Sequence, residues 1–404
     1  MTLELLVLTT SYPLDDESTS GVFVARLVQH YPAEVRAVVL TPSDTRLRAV
    51  SPRGTGAAVK MFRYAPRRLQ VLAHDPGGIP AALRRNRWTY LLVPLFLLSM
   101  IFHVIWRARA AQLIHANWAI CGLIAGLAGR FLGKPVITTL RGEDVTRTRR
   151  AGLDRLILFG CLKLSNRVVA VSEEIRGWIR STFPSCADRI SLIENGVEPA
   201  FFEAGDSRKS STEQCFRLLC IGSLIPRKNV DLILQAIEKL DRGVEARLTI
   251  VGGGAERPRL EELAHRLGIA HKVKFTGQVA PDGIPDLLAE ADAFVLASRS
   301  EGRPNVVLEA MASGLPVIAT DIPGVRELVV TKETGLLFPV GDSDRLAACI
   351  QTLASNPVLS HALGGKARQF MIERGLTWDN AAQNYHRLFT ELINAKKCAA
   401  SSDK

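Results

Sequence analysis

Two glutamates that could bind a sugar flank the start of a predicted helix. Glu301 and Glu309 are separated by seven residues, and Pro304 lies between them at a position that suits the first turn of a helix. The backbone N–H groups near Arg303 to Val306, apart from Pro304, which has none, would then be available to an anion such as a diphosphate. Glu301 would lie beside the group attached to that phosphate, while Glu309 could accept hydrogen bonds from a pair of sugar hydroxyls. The spacing therefore predicts a nucleotide-sugar pocket.

A regular alternation of strands and helices must position this helix. Short apolar runs separated by helix-length segments are typical of doubly wound parallel α/β sheets. The predicted strands are residues 3–8, 35–40, 59–64, 112–115, 135–138 and 167–172, and then 216–221, 246–251, 273–275, 293–297 and 316–320. The polar segment 203–214 separates the two series and is the predicted linker. We therefore predict two Rossmann-like domains that face each other across a ligand-binding cleft, because ligands bind at the carboxyl ends of parallel strands.

Composition excludes several classes of protein. The chain has 404 residues, of which 47% are hydrophobic and 23% are charged, so it is globular and long enough for two domains. Its seven cysteines are scattered and include no Cys-x-x-Cys pair, which argues against both a disulfide framework and a zinc site. No secretory signal is recognisable. We therefore expect a cytoplasmic protein.

The positive charge is concentrated in the first half of the chain. Residues 1–205 contain 26 Lys and Arg against 16 Asp and Glu, a balance of +10, whereas the remainder has 25 against 24, a balance of +1. Such asymmetry indicates that the first domain meets an anionic surface. Because aromatic residues are only 6% of the chain and no base-stacking or recognition-helix motif is present, we expect a membrane and no nucleic acid.

The segment Trp88–Trp106 is long and apolar enough to cross a membrane. It contains no charged residue and is flanked by arginines on both sides. A single crossing would separate the preceding strands from the later strands of the same sheet, and Pro94 interrupts the segment. Docking on the inner face of the cytoplasmic membrane is therefore the preferred interpretation, with a core helix or a true span as the alternatives.

The segment with the two glutamates resembles the Glu-x7-Glu motif of retaining glycosyltransferases with the GT-B fold, specifically glycosyltransferase family four. The resemblance covers seventeen positions, Glu301–Val317, which match Glu-Gly-x-Pro-Asn-Val-Val-Leu-Glu-Ala-Met-Ala-x-Gly-x-Pro-Val. It implies that Glu301 holds the transferred sugar as a catalytic residue. It also implies that the donor is bound by Gly302, Arg303, Pro304, Asn305, Val306 and Glu309.

A second segment, Ile221–Asn229, is similar to the strand-to-loop segment in which the family's basic residues hold the donor diphosphate. The similarity implies that Gly222 belongs to the donor site. Arg227 and Lys228 would stabilise the charge that develops on the leaving nucleotide. The family often has an arginine directly after the glycine, whereas this chain has Ser223, so the two later cations would contribute more or the diphosphate would be held differently.

Three segments of the first half resemble cleft elements of the family less closely. Gly21 lies in a segment that resembles a glycine loop near the donor phosphates, with a simple turn as the alternative. His115 begins a His-x-Asn element where the family often has His-x-His; Asn117 takes the place of the second histidine, so His115 is either a catalytic candidate or structural. Arg141-Gly-Glu-Asp144 resembles a His-Gly-x-Asp loop. Asp144 would orient or deprotonate an acceptor hydroxyl and Arg141 would meet an anionic acceptor, unless the two form a loop ion pair.

The resemblance implies that the two domains bind different substrates. Residues 1–202 would bind the acceptor and face the membrane, residues 203–375 would bind the nucleotide sugar, and residues 376–404 would form a helix that returns to the first domain. The implied activity is retaining transfer of a sugar to a cell-envelope, polysaccharide or lipid-linked acceptor, without a metal or other cofactor. Asp342-Ser343-Asp344 is then a helix cap rather than a metal site. A nucleotide-sugar epimerase and a membrane-associated binding protein without activity are the alternatives.

Overall fold

The computed structural model describes residues 2–13, 15, 18, 20–45, 57–74, 78–149, 152–206, 215–241 and 243–402. The strands are β1 (Leu3–Leu8), β2 (Val35–Pro42), β3 (Ala58–Phe62), β4 (Leu113–Asn117), β5 (Val136–Leu140), β6 (Arg167–Ala170), β7 (Ile190–Leu192), β8 (Phe216–Ile221), β9 (Ala246–Val251), β10 (Val273–Gly277), β11 (Ala293–Leu296), β12 (Val317–Thr320) and β13 (Gly335–Phe338).

The helices alternate with these strands. They are α1 (Val22–Gln29), α2 (Gly78–Arg85), α3 (Leu92–Ala108), α4 (Ala119–Leu132), α5 (Glu143–Thr146), α6 (Leu153–Leu164), α7 (Glu173–Thr182), α8 (Pro199–Asp206), α9 (Val230–Glu238), α10 (Arg257–Arg266), α11 (Ile284–Glu290), α12 (Asn305–Ala312), α13 (Pro323–Arg326), α14 (Ser343–Ala354), α15 (Pro357–Glu373) and α16 (Trp378–Ser402). Short 3₁₀ helices lie at Arg67–Leu69, Arg87–Leu91, Arg147–Arg149, Pro184–Arg189, Pro226–Lys228, Ala270–Lys272 and Pro281–Gly283.

The chain divides into two compact units. The N-terminal unit comprises Met1–Asn195 and Trp378–Lys404, and the C-terminal unit comprises Gly196–Thr377. The first boundary therefore lies before the predicted linker at 203–214, because α8 buries Phe201 and Ala204 in the C-terminal unit. Residues 207–214 of that linker lie outside the described residues.

The N-terminal unit is built on a seven-stranded parallel sheet in the order β3-β2-β1-β4-β5-β6-β7. Its strands are almost continuously apolar because helices cover both faces. Helices α1 and α16 pack on one face, and α3 and α4 pack on the other. The strand order reverses between β1 and β4, which opens a crevice at their carboxyl ends.

The C-terminal unit repeats this architecture with six parallel strands in the order β10-β9-β8-β11-β12-β13. One core lies between the sheet and α9, α10 and α14, and a second lies between the sheet and α8, α11 and α12. Here the order reverses between β8 and β11. The two sheets confirm the prediction of two Rossmann-like domains.

The sequence analysis missed two edge strands. Strand β7 is Ile-Ser-Leu, which lacks a sustained apolar run. Strand β13 is Gly-Leu-Leu-Phe, as long and as apolar as the predicted strands β11 and β12, and it was not recognised. Pairing with β6 and β12 holds β7 and β13 in the sheets.

Helix α3 belongs to the segment Arg87–Ala108, which is long and apolar enough by composition to cross a membrane. In the structure, one side of the helix is buried in the N-terminal core, with Phe96, Met100, Val104 and Ala108 in contact with the sheet and α4. The other side is exposed and equally apolar; it includes Leu91, Leu95, Leu98, Phe102 and Trp106. The helix is therefore half-buried rather than enclosed in the core.

Candidate functional site

The candidate site of the C-terminal unit is centred on the carboxylate of Glu301, in the loop between β11 and α12. Lys228 Nζ donates to Glu301 Oε1 at 2.6 Å and Arg227 Nη1 donates to Oε2 at 3.0 Å. Ser298 Oγ also donates to Oε1, at 2.7 Å. The structure thus brings together three residues that the sequence analysis assigned to the donor site, and it adds Ser298.

Burial alone would raise the pKa of the Glu301 carboxyl, since the side chain is only 9% exposed. The positive charges of Lys228 and Arg227 outweigh this effect and hold the pKa below its usual value. Glu301 is therefore ionised at neutral pH. The three side chains together carry a net charge of +1, and the two cations are partly exposed, Arg227 more so than Lys228.

Backbone contacts lock the two loops of this site together. Arg227 Nη1 donates to the carbonyl oxygen of Ser300 at 2.7 Å, and the N–H of Arg299 donates to the carbonyl oxygen of Arg227 at 2.9 Å. The Arg299 guanidinium donates two hydrogen bonds to Asn229 Oδ1, at 3.1 and 3.0 Å. Since these loops follow β8 and β11, the site lies at the point where the strand order reverses.

Glycines allow a third loop to approach the site. A Cβ on Gly252 would overlap the carbonyl oxygen of Gly222, and one on Gly254 would overlap that of Leu224. Both glycines have positive φ, 135° and 157°. The glycine turn after β9 therefore supports the loop that carries Arg227 and Lys228.

Gly222 lies directly under Lys228. A Cβ at this position would be 3.5 Å from Lys228 Cε. Ser223, where the family often has an arginine, is partly exposed. Gly222 therefore contributes to the site by leaving room for the lysine side chain.

Helix α12 begins beside Glu301, with Pro304 as its N-cap residue. The N–H groups of Asn305 and Val306 lie in its first turn, where an anion is favoured, and Glu309 lies one turn further. Gly302 and Glu309 are partly exposed. The structure thus places the predicted phosphate-binding helix start next to the two cations.

The Arg303 side chain is fully buried, and its Nη1 lies 3.7 Å from Glu327 Oε2. This ion pair ties the loop before α12 to the residue that follows α13. The role of Arg303 in donor binding stays a prediction.

The N-terminal unit holds a second cluster of polar residues at the carboxyl ends of β4 and β5, centred on Arg141. The guanidinium donates to Asn117 Oδ1 at 2.6 and 3.2 Å and to Asn195 Oδ1 at 2.9 Å. It lies over the ring of Phe23, 4.8 Å from its centroid. No carboxylate among the described residues forms an ion pair with Arg141, so the predicted loop ion pair with Asp144 is not formed.

Both carboxylate oxygens of Asp144 accept hydrogen bonds from backbone N–H groups. Its Oδ1 accepts from the N–H groups of Arg141 and Gly142, at 3.1 and 2.9 Å, and its Oδ2 accepts from that of Ala119 at 3.1 Å. Burial raises the pKa of the carboxyl although these hydrogen bonds oppose the shift. The side chain therefore caps α4 and shapes its own loop, and its predicted role toward an acceptor hydroxyl stays a prediction.

His115 is also hydrogen-bonded within the N-terminal unit. It is fully buried, and its Nδ1 and Nε2 lie 2.9 Å from the Tyr31 hydroxyl and 2.8 Å from Thr139 Oγ1. Burial, with a smaller contribution from the charge of Arg141, lowers the pKa of the imidazole to about 3. Because both ring nitrogens are engaged in the core, the geometry agrees with the structural alternative for His115, and its catalytic role stays a prediction.

Gly21 ends the loop after β1 and precedes α1, with φ 73°. A Cβ at this position would overlap the carbonyl oxygen of Ser11. The turn therefore needs glycine for its own packing, which matches the alternative of a simple turn.

The sequence analysis missed several residues that shape these sites, chiefly Ser298, Asn195 and Glu327. Ser298 precedes Glu301 by three residues, just before the matched segment, and Glu327 directly follows α13, so position alone was the available signal. No group of His, Cys, Asp or Glu in the described part of the chain is arranged to hold a metal. Asp342 accepts from the N–H of Arg345 at 2.9 Å and caps α14, as the helix-cap interpretation predicts.

Two family models match the chain in tandem. The model of Glycosyltransferase Family 4 matches residues 20–201, and that of Glycosyl transferases group 1 matches residues 205–370. The two matches correspond closely to the two structural units and together span most of the chain.

Individual proteins agree with these models. A GDP-mannose-dependent alpha-(1-6)-phosphatidylinositol monomannoside mannosyltransferase of Mycobacterium tuberculosis is 33% identical over 229 residues, which are 53% of this chain and 59% of the relative. The aligned region is therefore less than two thirds of that relative's length. An N-acetyl-alpha-D-glucosaminyl L-malate synthase of Bacillus anthracis is 29% identical over 295 residues, 71% of this chain and 76% of the relative.

Solved structures share the fold. The crystal structure of Anabaena HepE in complex with UDP and glucose has a TM-score of 0.73 at 20% identity and covers 96% of this chain and 100% of its own. Together with the paired sheets and the Glu301–Val317 motif, these likenesses show that the chain has the GT-B fold and belongs to glycosyltransferase family 4.

Proposed function

We propose that this protein transfers a sugar from a nucleoside-diphosphate sugar to a cell-envelope, polysaccharide or lipid-linked acceptor with retention of the anomeric configuration. The observation that carries this proposal is the ion-paired group of Glu301, Lys228 and Arg227 beside the start of α12. It combines a surplus positive charge with the N-terminus of a helix, where an anion is favoured, as a diphosphate-binding site requires.

The reaction breaks the bond between the anomeric carbon and the diphosphate oxygen and forms a bond from that carbon to an acceptor hydroxyl oxygen, whose proton passes to the departing diphosphate. Negative charge develops on the departing diphosphate. Lys228, Arg227 and the N–H groups of Asn305 and Val306 would stabilise it from fixed positions. Glu301 would orient the two cations, since both of its carboxylate oxygens are committed to them and to Ser298.

Relatives with known donors differ in the nucleotide that their names contain. The mycobacterial relative is dependent on GDP-mannose, and HepE was crystallised with UDP and glucose. We propose a purine or pyrimidine diphosphate donor and no metal requirement. The cations of Arg227 and Lys228 already supply the charge that a metal would provide.

We propose that the acceptor meets Arg141 and Asn117 in the N-terminal unit. Arg141 is a buried cation whose described partners are neutral amides and a ring, and Asn117 Nδ2 is buried without a hydrogen-bond partner. A cation and a free donor at the carboxyl edge of the sheet would favour an acceptor with a phosphate or carboxylate group.

We further propose peripheral contact with the inner face of an anionic membrane through the exposed side of α3. Leu91, Leu98 and Phe102 are 77%, 64% and 65% exposed. Residues 60–152 contain 15 Lys and Arg but only three Asp and Glu. An apolar helix surface in a basic region has the chemistry of an interfacial membrane anchor.

The test of the donor site is a thermal-shift screen against UDP, GDP, ADP and their common sugars, with and without magnesium. A ligand at 100 times its dissociation constant adds about 2.7 kcal/mol to the stability of the native state. A selective, magnesium-independent shift that is lost in Lys228→Gln supports the site and identifies the base. No shift with folded protein would overturn the proposal.

The test of the stereochemistry follows with the identified donor and a membrane extract as the acceptor source. Proton NMR of the first-formed product should show the anomeric configuration of the donor. An inverted product would overturn retention. Donor converted to an epimer without any acceptor would overturn transfer itself.

A further inference from the structure

An open cavity of about 550 Å³ lies in the N-terminal unit, away from the Arg141 cluster of the same unit. It is formed where α4 and α6 end, and its wall includes Lys134 and Pro135 before β5, Asn166 before β6 and Lys396 of α16. This is the amino-terminal edge of the sheet, opposite the carboxyl edge that holds Arg141. Its volume is within the range of small-molecule sites.

The cavity is strongly cationic. Arg130, Lys134, Lys163, Arg189 and Lys396 line it, and no Asp or Glu does. Within the described part of the chain, none of these five side chains forms an ion pair with a carboxylate. The positive charge is therefore not neutralised by the protein around it.

Helix ends account for part of this charge. Lys396 Nζ donates to the carbonyl oxygen of Gly133 at the end of α4, and Arg189 Nη1 donates to that of Lys163 at 3.3 Å. Each helix C-terminus is equivalent to about half a negative charge, so the two ends balance about one of the five cations. A surplus of positive charge remains, and it must be met by a ligand or by counter-ions.

Helix α4, which contributes Gly129 and Arg130 to the cavity wall, also carries exposed apolar side chains. Leu127 and Phe131 are 51% and 74% exposed, and they stand one turn apart on the helix that carries Arg130. Helix α3, with its exposed apolar side, packs against α4. An anion bound among the cations would thus lie beside a surface suited to hydrocarbon.

We propose that this cavity is a phosphate-binding site for the headgroup of an anionic phospholipid, whose acyl chains would lie along Leu127 and Phe131. Both a lipid headgroup and a soluble phosphate ester offer the required phosphate. The exposed apolar residues of α4 and of the neighbouring α3 favour the lipid. The inference rests on the proposed membrane contact and specifies its chemistry: α3 supplies apolar affinity, and the cavity selects anionic lipid.

The experiment is co-sedimentation with phosphatidylcholine vesicles that either contain or lack phosphatidylglycerol. Arg130→Gln/Lys163→Gln removes two exposed cations of the cavity, and Arg180→Gln, on α7, is the matched control for an exposed arginine elsewhere in the unit. Each cation near an anionic surface contributes about fivefold to affinity. The double variant should therefore bind phosphatidylglycerol vesicles about 30-fold more weakly, while the control should lose much less. Equal losses in both, or none, would overturn the proposal.

Titration calorimetry with glycerol 1-phosphate, in a Lys228→Gln background that disables the donor site, separates the two sources of phosphate. Weak binding that the double variant abolishes, together with its vesicle defect, supports the headgroup site. Tight binding with unchanged vesicle affinity would overturn the lipid assignment in favour of a soluble ester. Donor-induced thermal shifts in the double variant should remain as in the wild type, so failure of this site is distinguishable from failure of the donor site.

Discussion

Lys228 and Glu301 are 73 residues apart in the chain, yet Lys228 Nζ donates a 2.6 Å hydrogen bond to Glu301 Oε1. The pair joins the loop after β8 to the loop after β11, at the point where the strand order of the C-terminal sheet reverses. The carboxylate is enclosed, whereas the lysine and the neighbouring Arg227 keep an exposed side. The Glu301 carboxylate therefore holds the two cations of the site in place as its anchor.

Replacing Glu301 by glutamine should separate turnover from nucleotide binding. The variant removes the anchor of both cations, so kcat should fall about 100-fold, as for loss of one positioned electrostatic group. The nucleotide diphosphate should bind at least as tightly, because the net charge of the group rises from +1 to +2. Steady-state kinetics and calorimetry measure the two effects, with the exposed Glu333→Gln as control. Equal losses of binding and turnover would show that Glu301 serves folding of the site.

The Gly324→Ala variant should damage the donor site without touching the substrate. A Cβ here would overlap the carbonyl oxygen of Glu301 and lie 2.6 Å from that of Gly302, so the loop must move. Displacement by about 1 Å at such a site lowers turnover about 100-fold. The control is Gly365→Ala on α15, where a Cβ meets open space and should leave kcat unchanged. Wild-type turnover in Gly324→Ala would contradict the close packing.

Asp144→Ala should act on stability rather than on chemistry. Loss of its three backbone hydrogen bonds leaves buried N–H groups unpaired and should lower the free energy of unfolding by about 2 kcal/mol. The kcat of the folded fraction should stay within a few-fold of the wild type. Thermal melts and active-fraction kinetics test this, with Glu143→Ala in the same loop as control. A kcat loss of two orders of magnitude would support Asp144 as an acid–base group.

His115 should make the N-terminal unit sensitive to acid. Its pKa is about 3 in the folded protein against an ordinary 6.5, so between these values the unfolded chain binds the extra proton. The contribution of neutral His115 to the free energy of unfolding is complete above pH 6.5. It falls by about 1.4 kcal/mol for each pH unit below that value. Urea unfolding at pH 7 and 5 should show a shallower pH slope in His115→Gln than in the wild type, whereas the exposed His265→Gln should not change it. Parallel slopes for all three proteins would exclude a neutral buried imidazole.

The exposed side of α3 should determine membrane affinity. Leu98→Ser/Phe102→Ser removes two exposed apolar side chains, each contributing about 1.5 kcal/mol when buried, so vesicle binding should weaken about 100-fold. The fold should survive, because the buried side of the helix, with Phe96 and Met100, is untouched. Val358→Ser, at an exposed position of α15, is the control in the co-sedimentation assay. Unchanged binding would assign the α3 surface to another partner.

Much of the fold was predictable because parallel strands buried on both faces appear as continuous apolar runs. The seventeen-position motif at Glu301–Val317 likewise located the donor site, since a strand, a loop and a helix start are local in sequence. The short edge strand β7 was not predictable, because pairing rather than composition holds it. The sequence also did not show which side of α3 is exposed, because nearly every residue of the helix is apolar.

The sequence by itself determined the two-domain α/β architecture, the donor motif and the basic character of the first half. Only the tertiary structure decided which polar residues serve ligands and which serve the fold. His115 and Asp144 are residue types that the family has at these positions, yet both form hydrogen bonds with groups of the N-terminal unit. The Arg303 guanidinium lies next to the Glu327 carboxylate. The physical reason is that hydrogen-bonding capacity and charge are set by neighbours distant in the chain, which only folding brings within a few ångströms.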